Sequence, residues 1–247
     1  MKVLASYNIK GGVGKTAAAV NMSYLAAQQG WRTLVWDLDP QGAASFYFRI
    51  KPKVKSGVKG IINKKHALSD MIKGTDFEDL DLIPADFSYR NMDLLLDDKK
   101  NPSQHLHKLL KPLADDYDFI ILDCPPSISL VSESVFYAAD ALLVPIIPTV
   151  LSIRTLEQLI RFQKKKKLNN MKIFAFFSMV DRRKKLHKVV IDNPPFSDTL
   201  FIKSEIPYAS DIEQMGMHRA PLPSYAPNSR SAQAYSDVWD EVILRLK

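Results

Sequence analysis

The segment Lys10-Gly11-Gly12-Val13-Gly14-Lys15-Thr16 sets glycines and two lysines ahead of a hydroxyl residue. Glycines so placed let consecutive backbone N–H groups converge on phosphate oxygens, and a helix starting behind them adds the positive end of its dipole. Lys15 is positioned for the β- and γ-phosphates of a nucleoside triphosphate, and the Thr16 hydroxyl for Mg²⁺. The apolar stretch Val3–Tyr7 precedes the loop, and a helical pattern from Ala17 to Gln29, closed by Gly30, follows it. Strand, glycine loop, helix is the order such chemistry needs.

The spacing departs from the common G-x-x-x-x-G-K-[ST] loop, because position 9 is Ile9 and an additional lysine, Lys10, stands five residues before Lys15. Two lysines imply either more negative charge than one can neutralise or a lysine aimed elsewhere. Gly12-x-Gly14-x-x-Ala17 also satisfies the dinucleotide pattern, with Asp37 at about the ribose-binding distance. That chemistry has no use for Lys15-Thr16 or for an aspartate ending a later buried strand, so the triphosphate reading is preferred.

Three carboxylates have the matching positions. Asp123 ends the apolar run Phe119–Leu122, where an Mg²⁺-holding carboxylate is expected. Asp37 and Asp39 flank Leu38, so their side chains begin on one face of an extended chain. The alternative is that the pair are merely turn-forming acids ahead of Pro40.

The form K-G-G-x-G-K-T resembles the deviant Walker A box of the ParA/MinD family of ATPases. The resemblance implies that Lys10 crosses a dimer interface to the partner's nucleotide. It implies that Lys10, Gly11, Gly12, Val13, Gly14, Lys15, Thr16 and Ala17 hold ATP. Asp37-Leu38-Asp39-Pro40-Gln41 resembles the family's D-x-D-P-Q segment, which assigns Asp39 to positioning the attacking water and Asp37, with Thr16 and Asp123, to the Mg²⁺ shell. Further likenesses are Asp123-Cys124-Pro125-Pro126-Ser127, Val144–Thr149 and Ser178–Arg182. Ile206-Pro207-Tyr208 sits where the family encloses the base, making Pro207 a candidate adenine contact. Ser229-Arg230-Ser231-Ala232 resembles S-R-G-A, whose arginine serves non-specific DNA binding, with Ser231 in place of the glycine.

The chain has 247 residues, 46% hydrophobic and 25% charged, ordinary for a globular protein with a large core. No apolar run reaches the roughly 18 residues that span a bilayer, and Met1-Lys2-Val3 leads into the first strand without a signal pattern. The lone cysteine, Cys124, excludes an internal disulfide and fits a reducing cytoplasm. Of the five histidines, His105 and His107 read as a solvated pair rather than a metal site. The net charge is +7, and basic residues gather at Lys51–Lys55, Lys164–Lys167 and Arg182–Lys185. On a protein of this type those clusters favour duplex DNA, with Arg230, Lys184 and Lys185 as the expected contacts.

The positioning elements follow from apolar runs. Strands are expected at Thr33–Trp36, Leu80–Pro84, Phe119–Leu122, Ala141–Pro145 and Lys172–Met179. Helical segments are expected at Ala67–Ile72, Arg90–Leu96 and Arg154–Lys166, with residues 49–66 an irregular excursion. This pattern predicts an α/β fold, a doubly wound, mainly parallel sheet with helices on both faces, as one phosphate-loop ATPase domain over residues 1–247. The loop, Asp37, Asp39 and Asp123 all fall at the carboxyl ends of strands, where such sheets bind ligands.

Two functions fit. A ParA-like ATPase would form an ATP-dependent homodimer, bind DNA without sequence preference, associate with the nucleoid, and position cargo through a ParB-like or other adaptor that stimulates hydrolysis. A MinD-like ATPase would need a C-terminal amphipathic helix with a basic face. Residues 235–247 carry three acids, and their apolar positions 235, 238, 239, 242 and 246 form one stripe, the pattern of a helix packed on the core. The DNA class is therefore expected, with no membrane partner. A chain starting at its first strand leaves no room for an N-terminal helix-turn-helix.

Overall fold

The computed structural model describes residues 1–194, 196 and 200–247. Among the described residues seven strands form one sheet: β1 Lys2–Ser6, β2 Thr33–Asp37, β3 Lys73–Gly74, β4 Leu80–Ile83, β5 Phe119–Asp123, β6 Ala141–Ile146 and β7 Lys172–Phe177. Their order is β3-β4-β2-β5-β1-β6-β7. All pairs are parallel except the two-residue edge strand β3, which runs antiparallel to β4. Helices are α1 Lys15–Gln28, α2 Ala43–Tyr47, α3 Gly57–Ile62, α4 Met92–Asp97, α5 His105–Leu110 and α6 Leu130–Ala138, then α7 Val150–Lys165, α8 Lys185–Asp192, α9 Ser210–Glu213, α10 Met215–His218, α11 Leu222–Tyr225 and α12 Arg230–Leu246.

The central strands are apolar because both their faces are covered. Along β1, Val3 and Ala5 join a core beneath α5, α6 and α7, whereas Leu4 joins the opposite core beneath α1 and α12. Trp239 of α12 is fully buried, stands edge-on to Phe119 at 5.4 Å, and donates its indole N–H to Gln29 Oε1 at 3.1 Å. Tyr235, Val238 and Val242 lie in the same core, so the C-terminal stripe is spent inside the protein.

Several boundaries differ from the sequence reading. Residues 49–66 are not wholly irregular, since α3 buries Val58, Ile61 and Ile62. Gly60 serves packing there: a Cβ on it would come within 2.7 Å of Ser56 Cβ. The helix expected from Arg154 starts at Val150, capped by Thr149. The last core strand stops at Phe177, and Met179 has a positive φ of 54°. Residues 68–71 form a 3₁₀ turn. His105 is not solvated; it is buried, with Nε2 3.1 Å from the Ile62 carbonyl.

Candidate phosphate-binding site

Strand order decides what stands beside the glycine loop. β5 lies between β1 and β2, so Ser6 pairs with Asp123 on one side and Asp37 with Asp123 on the other. The loop leaves β1 two residues later and runs into α1, which begins at Lys15 rather than Ala17. Asn8 ties the loop down, with its Nδ2 donating to the Pro145 carbonyl at 2.8 Å and its Oδ1 accepting the Lys10 N–H at 2.9 Å. Ser6 Oγ donates to the Lys15 carbonyl at 2.7 Å.

Within the loop the two lysines differ. Lys15 is buried, and its ammonium donates to the Lys10 carbonyl at 2.8 Å, across the arch where phosphate oxygens would enter. Burial lowers its pKa, opposed chiefly by the neighbouring Asp123 carboxyl. The Lys10 side chain is half-buried and forms no hydrogen bond or ion pair among the described residues. Gly14 has φ +93°, and a Cβ there would sit 2.9 Å from Ser178 Oγ. Only glycine satisfies both demands.

The carboxylates divide the site into held and unheld groups. Asp37 is fully buried, and its Oδ2 accepts both the N–H and hydroxyl of Ser45 at 2.8 and 2.7 Å. Burial pushes its pKa up to about 6, against those hydrogen bonds. Asp39 is half-buried, and its Oδ1 accepts the Gln41 N–H at 2.9 Å, so it does shape the turn. Asp123 is fully buried, and neither of its oxygens has a hydrogen-bond partner among the described residues, although the Thr16 hydroxyl is near enough to lower its pKa. Burial first, and the charge of Asp37 second, raise that pKa well above the usual carboxylate range. A buried acid with free lone pairs beside a hydroxyl, a lysine and a second acid suits a hard cation that prefers oxygen ligands. The donor set fits Mg²⁺.

Beside the loop lies a mainly apolar cavity of about 190 Å³, lined by Gly12, Gly14, Ala17, Met179, Pro207 and Tyr235 among others. Pro207 is thus brought against the loop that precedes it by some two hundred residues, and an aromatic base would meet apolar walls there. The basic residues named from sequence stand apart from this cavity. Lys184 and Lys185 are exposed at the start of α8, and Arg230 is exposed as the first residue of α12. Ser231 is buried and donates to Asp211 Oδ1 at 2.8 Å, so the serine that replaces glycine anchors the helix start.

Asn8 and Ser45 were missed from the sequence. A polar residue directly after an apolar strand was a readable signal for Asn8. No local pattern marks Ser45, and the family-like stretch Ser178–Arg182 gave no sign that Ser178 would meet Gly14 in space.

A glycine loop folded between a parallel strand and its helix, with an unpaired buried acid on the adjoining strand, is the arrangement of a phosphate-loop nucleoside triphosphatase. Residues 1–176 match the model of an AAA domain family. The sporulation initiation inhibitor protein Soj of Bacillus subtilis is 33% identical over 98% of each chain. A putative plasmid partition protein of Borrelia burgdorferi, solved with AMPPNP, has a TM-score of 0.86 with 21% identity, covering 99% of each chain, a likeness of fold. Cobyrinic acid a,c-diamide synthase of Mycobacterium smegmatis, solved with an ATP analogue and magnesium, has a TM-score of 0.82 and 26% identity, covering 98% of this chain and 94% of its own. The chain belongs to the ParA/MinD family of ATPases, on its ParA/Soj side. Among the described residues no helix is long and apolar enough to cross a membrane.

Proposed function

We propose that this protein is a partition-type ATPase whose ATP-bound form is a homodimer that binds duplex DNA without sequence preference and positions a cargo through a hydrolysis-stimulating adaptor. Residues 1–247 act as one ATPase domain. The observation that carries the reading is the contrast between the two loop lysines: Lys15 turns into its own loop, and Lys10 leaves its ammonium without a partner among the described residues of its own chain. A second subunit supplies the phosphate for it. Exposed Ile128, Val150 and Leu151 follow β5 and β6 at the loop's end of the sheet and give such an interface apolar area.

In this reading residues Lys10 through Ala17 cradle ATP, Pro207 walls the base, and Thr16, Asp37 and Asp123 hold Mg²⁺. The bound Mg²⁺ would neutralise charge on the phosphates. Asp39 orients the attacking water, while Lys10 and Lys15 stabilise negative charge that develops as the terminal phosphoryl leaves. Such hydrolysis is slow until an adaptor completes the site. Arg230, Lys184 and Lys185 contact DNA, and doubling them in a dimer gives avidity that couples DNA binding to ATP. That association places the protein on the nucleoid. The buried stripe of α12 favours this reading over a membrane-bound one.

Size-exclusion chromatography with light scattering tests the centre of the proposal. Wild type with ATP and Mg²⁺ should dimerise transiently, and Asp39→Ala should accumulate as dimer. A monomer in both cases removes the reading. Lys15→Ala should lose nucleotide, whereas Lys10→Ala should bind ATP without hydrolysing it. Equal loss of binding would make Lys10 a second phosphate lysine of its own loop.

A further inference from the structure

At the β3 edge of the sheet a cleft of about 460 Å³ is lined by Lys51, Lys53 and Lys55 from the segment before α3, and by Lys73 from β3. Ile50, Val54 and Met71 form its apolar lining, and Asp70 is its one acid. All four lysines are exposed, and none forms an ion pair or side-chain hydrogen bond with the described residues. Four lysines against Asp70, with Asp86 behind Val54 close enough to interact with Lys53, leave the cleft net positive. An excess of like charge of this kind costs self-repulsion unless an anion meets it.

The segment that carries three of these lysines is held in place. Val54 is buried, its N–H donates to Asp86 Oδ2 at 3.0 Å, and its carbonyl accepts the Gly57 N–H at 3.2 Å. With Val54 turned inward, Lys53 and Lys55 on either side of it are exposed. Pro52 packs against Gly42, where an added Cβ would lie 3.0 Å from Pro52 Cβ. Gly42 in turn donates its N–H to the Asp39 carbonyl at 2.9 Å. The lysines therefore stand on a support fixed to the same loop that carries Asp39.

We infer that this cleft is a second phosphate-backbone site for duplex DNA, separate from Arg230, Lys184 and Lys185, a reading that rests on the partition function proposed above. A polyanion with regularly spaced charges satisfies four lysines on two segments. A lipid surface would also need an apolar anchor, and Ile50, Val54 and Met71 are all at least partly buried in the cleft. Lysines that meet phosphates in this way position DNA and add to the salt dependence of binding without reading sequence.

The test uses the full chain with ATP and Mg²⁺ and a fluorescent random-sequence duplex, followed by anisotropy from low to moderate salt. Lys51→Glu/Lys53→Glu/Lys73→Glu should weaken binding at least about tenfold and reduce the salt slope by roughly 0.9 for each phosphate that is no longer neutralised. The triple Gln variant should fall between it and wild type. ATP binding, read with a fluorescent nucleotide analogue, should be unchanged in both and certifies folding. Wild-type affinity and slope in the Glu variant overturn the cleft's role while leaving the partition reading intact. A wild type that binds no DNA overturns both. Retention of the ATP form on phosphatidylglycerol vesicles, abolished in the Glu variant, with no change in DNA binding, also overturns the inference.

Discussion

Asp37 and Asp123 are register partners on the neighbouring parallel strands β2 and β5, and both carboxylates are fully buried. Asp37 has the Ser45 N–H and hydroxyl as donors, and Asp123 has none among the described residues. The pair is an unfavourable charge arrangement until a cation joins it. That tension sits where the proposed chemistry needs a metal.

Replacing Asp123 by Asn should therefore stabilise the nucleotide-free protein. Removal of a buried carboxyl that must either ionise beside Asp37 or take up a proton is worth on the order of 1–2 kcal/mol, or a rise in Tm of a few degrees for a chain of this size. The same variant should lose the stabilisation that Mg²⁺ adds to ATP binding. Thermal melts with and without Mg²⁺ and ATP check both effects. A lower Tm in the nucleotide-free state would mean that Asp123 is held by favourable contacts instead.

Gly14→Ala should abolish ATP binding. An alanine there meets Ser178 Oγ at 2.9 Å and must adopt φ +93°. The backbone conformation alone costs roughly 1–2 kcal/mol for a residue with a Cβ. Ser178→Ala in the same chain removes the clash but not the dihedral cost, so rescue should be partial at best. Full rescue, measured by nucleotide titration, would show that the clash alone matters.

Glu241 supplies a pH-dependent clamp between α12 and the segment after Phe201. Its carboxylate accepts the Lys203 N–H at 3.0 Å and the Ser204 N–H and hydroxyl at 2.9 and 2.6 Å, and pairs with Arg245 at 3.4 Å. Burial acts to raise its pKa, but these hydrogen bonds and the arginine hold it below the ordinary glutamate value of 4.5. Because the folded pKa is depressed, the contribution is complete above pH 4.5 and fades as pH falls through the folded value. Glu241→Gln should cost about 1–3 kcal/mol at pH 7 and much less once the pH has fallen below the depressed pKa of the folded state. Denaturant midpoints at the two pH values test this, and an equal loss at both would remove the charge from the account.

Trp239→Ala should destabilise the protein by about 3–5 kcal/mol, since it empties the site between Gln29 and Phe119. Removal of residues 235–247 should prevent folding, measured by circular dichroism and expression as soluble protein. A truncated chain that folds, binds ATP and only loses affinity for anionic vesicles would favour the membrane-bound alternative.

The phosphate loop was legible in the sequence because its chemistry is local: glycines, lysines and a threonine must be consecutive to wrap one phosphate group. β2 and β5 were legible for a different reason, since strands buried on both faces become continuous apolar runs. The segment 49–66 read as irregular, yet it contains α3, where Gly57 and Gly60 let the backbone pass Ser88 and Ser56. The two-residue β3 and the short α9, α10 and α11 are too brief to show a period. Asp37, Asp123 and Pro207 could be placed at one site from the sequence only by family resemblance; the tertiary structure decided that Asp123 stands in register beside Asp37, that Ser45 holds one of them and leaves the other, and that Pro207 and Gly14 line one cavity. Those partners are set by which strands become neighbours and where crossover helices return the chain. Pairing across such distances depends on the summed burial of the whole sheet, which no short stretch of residues encodes.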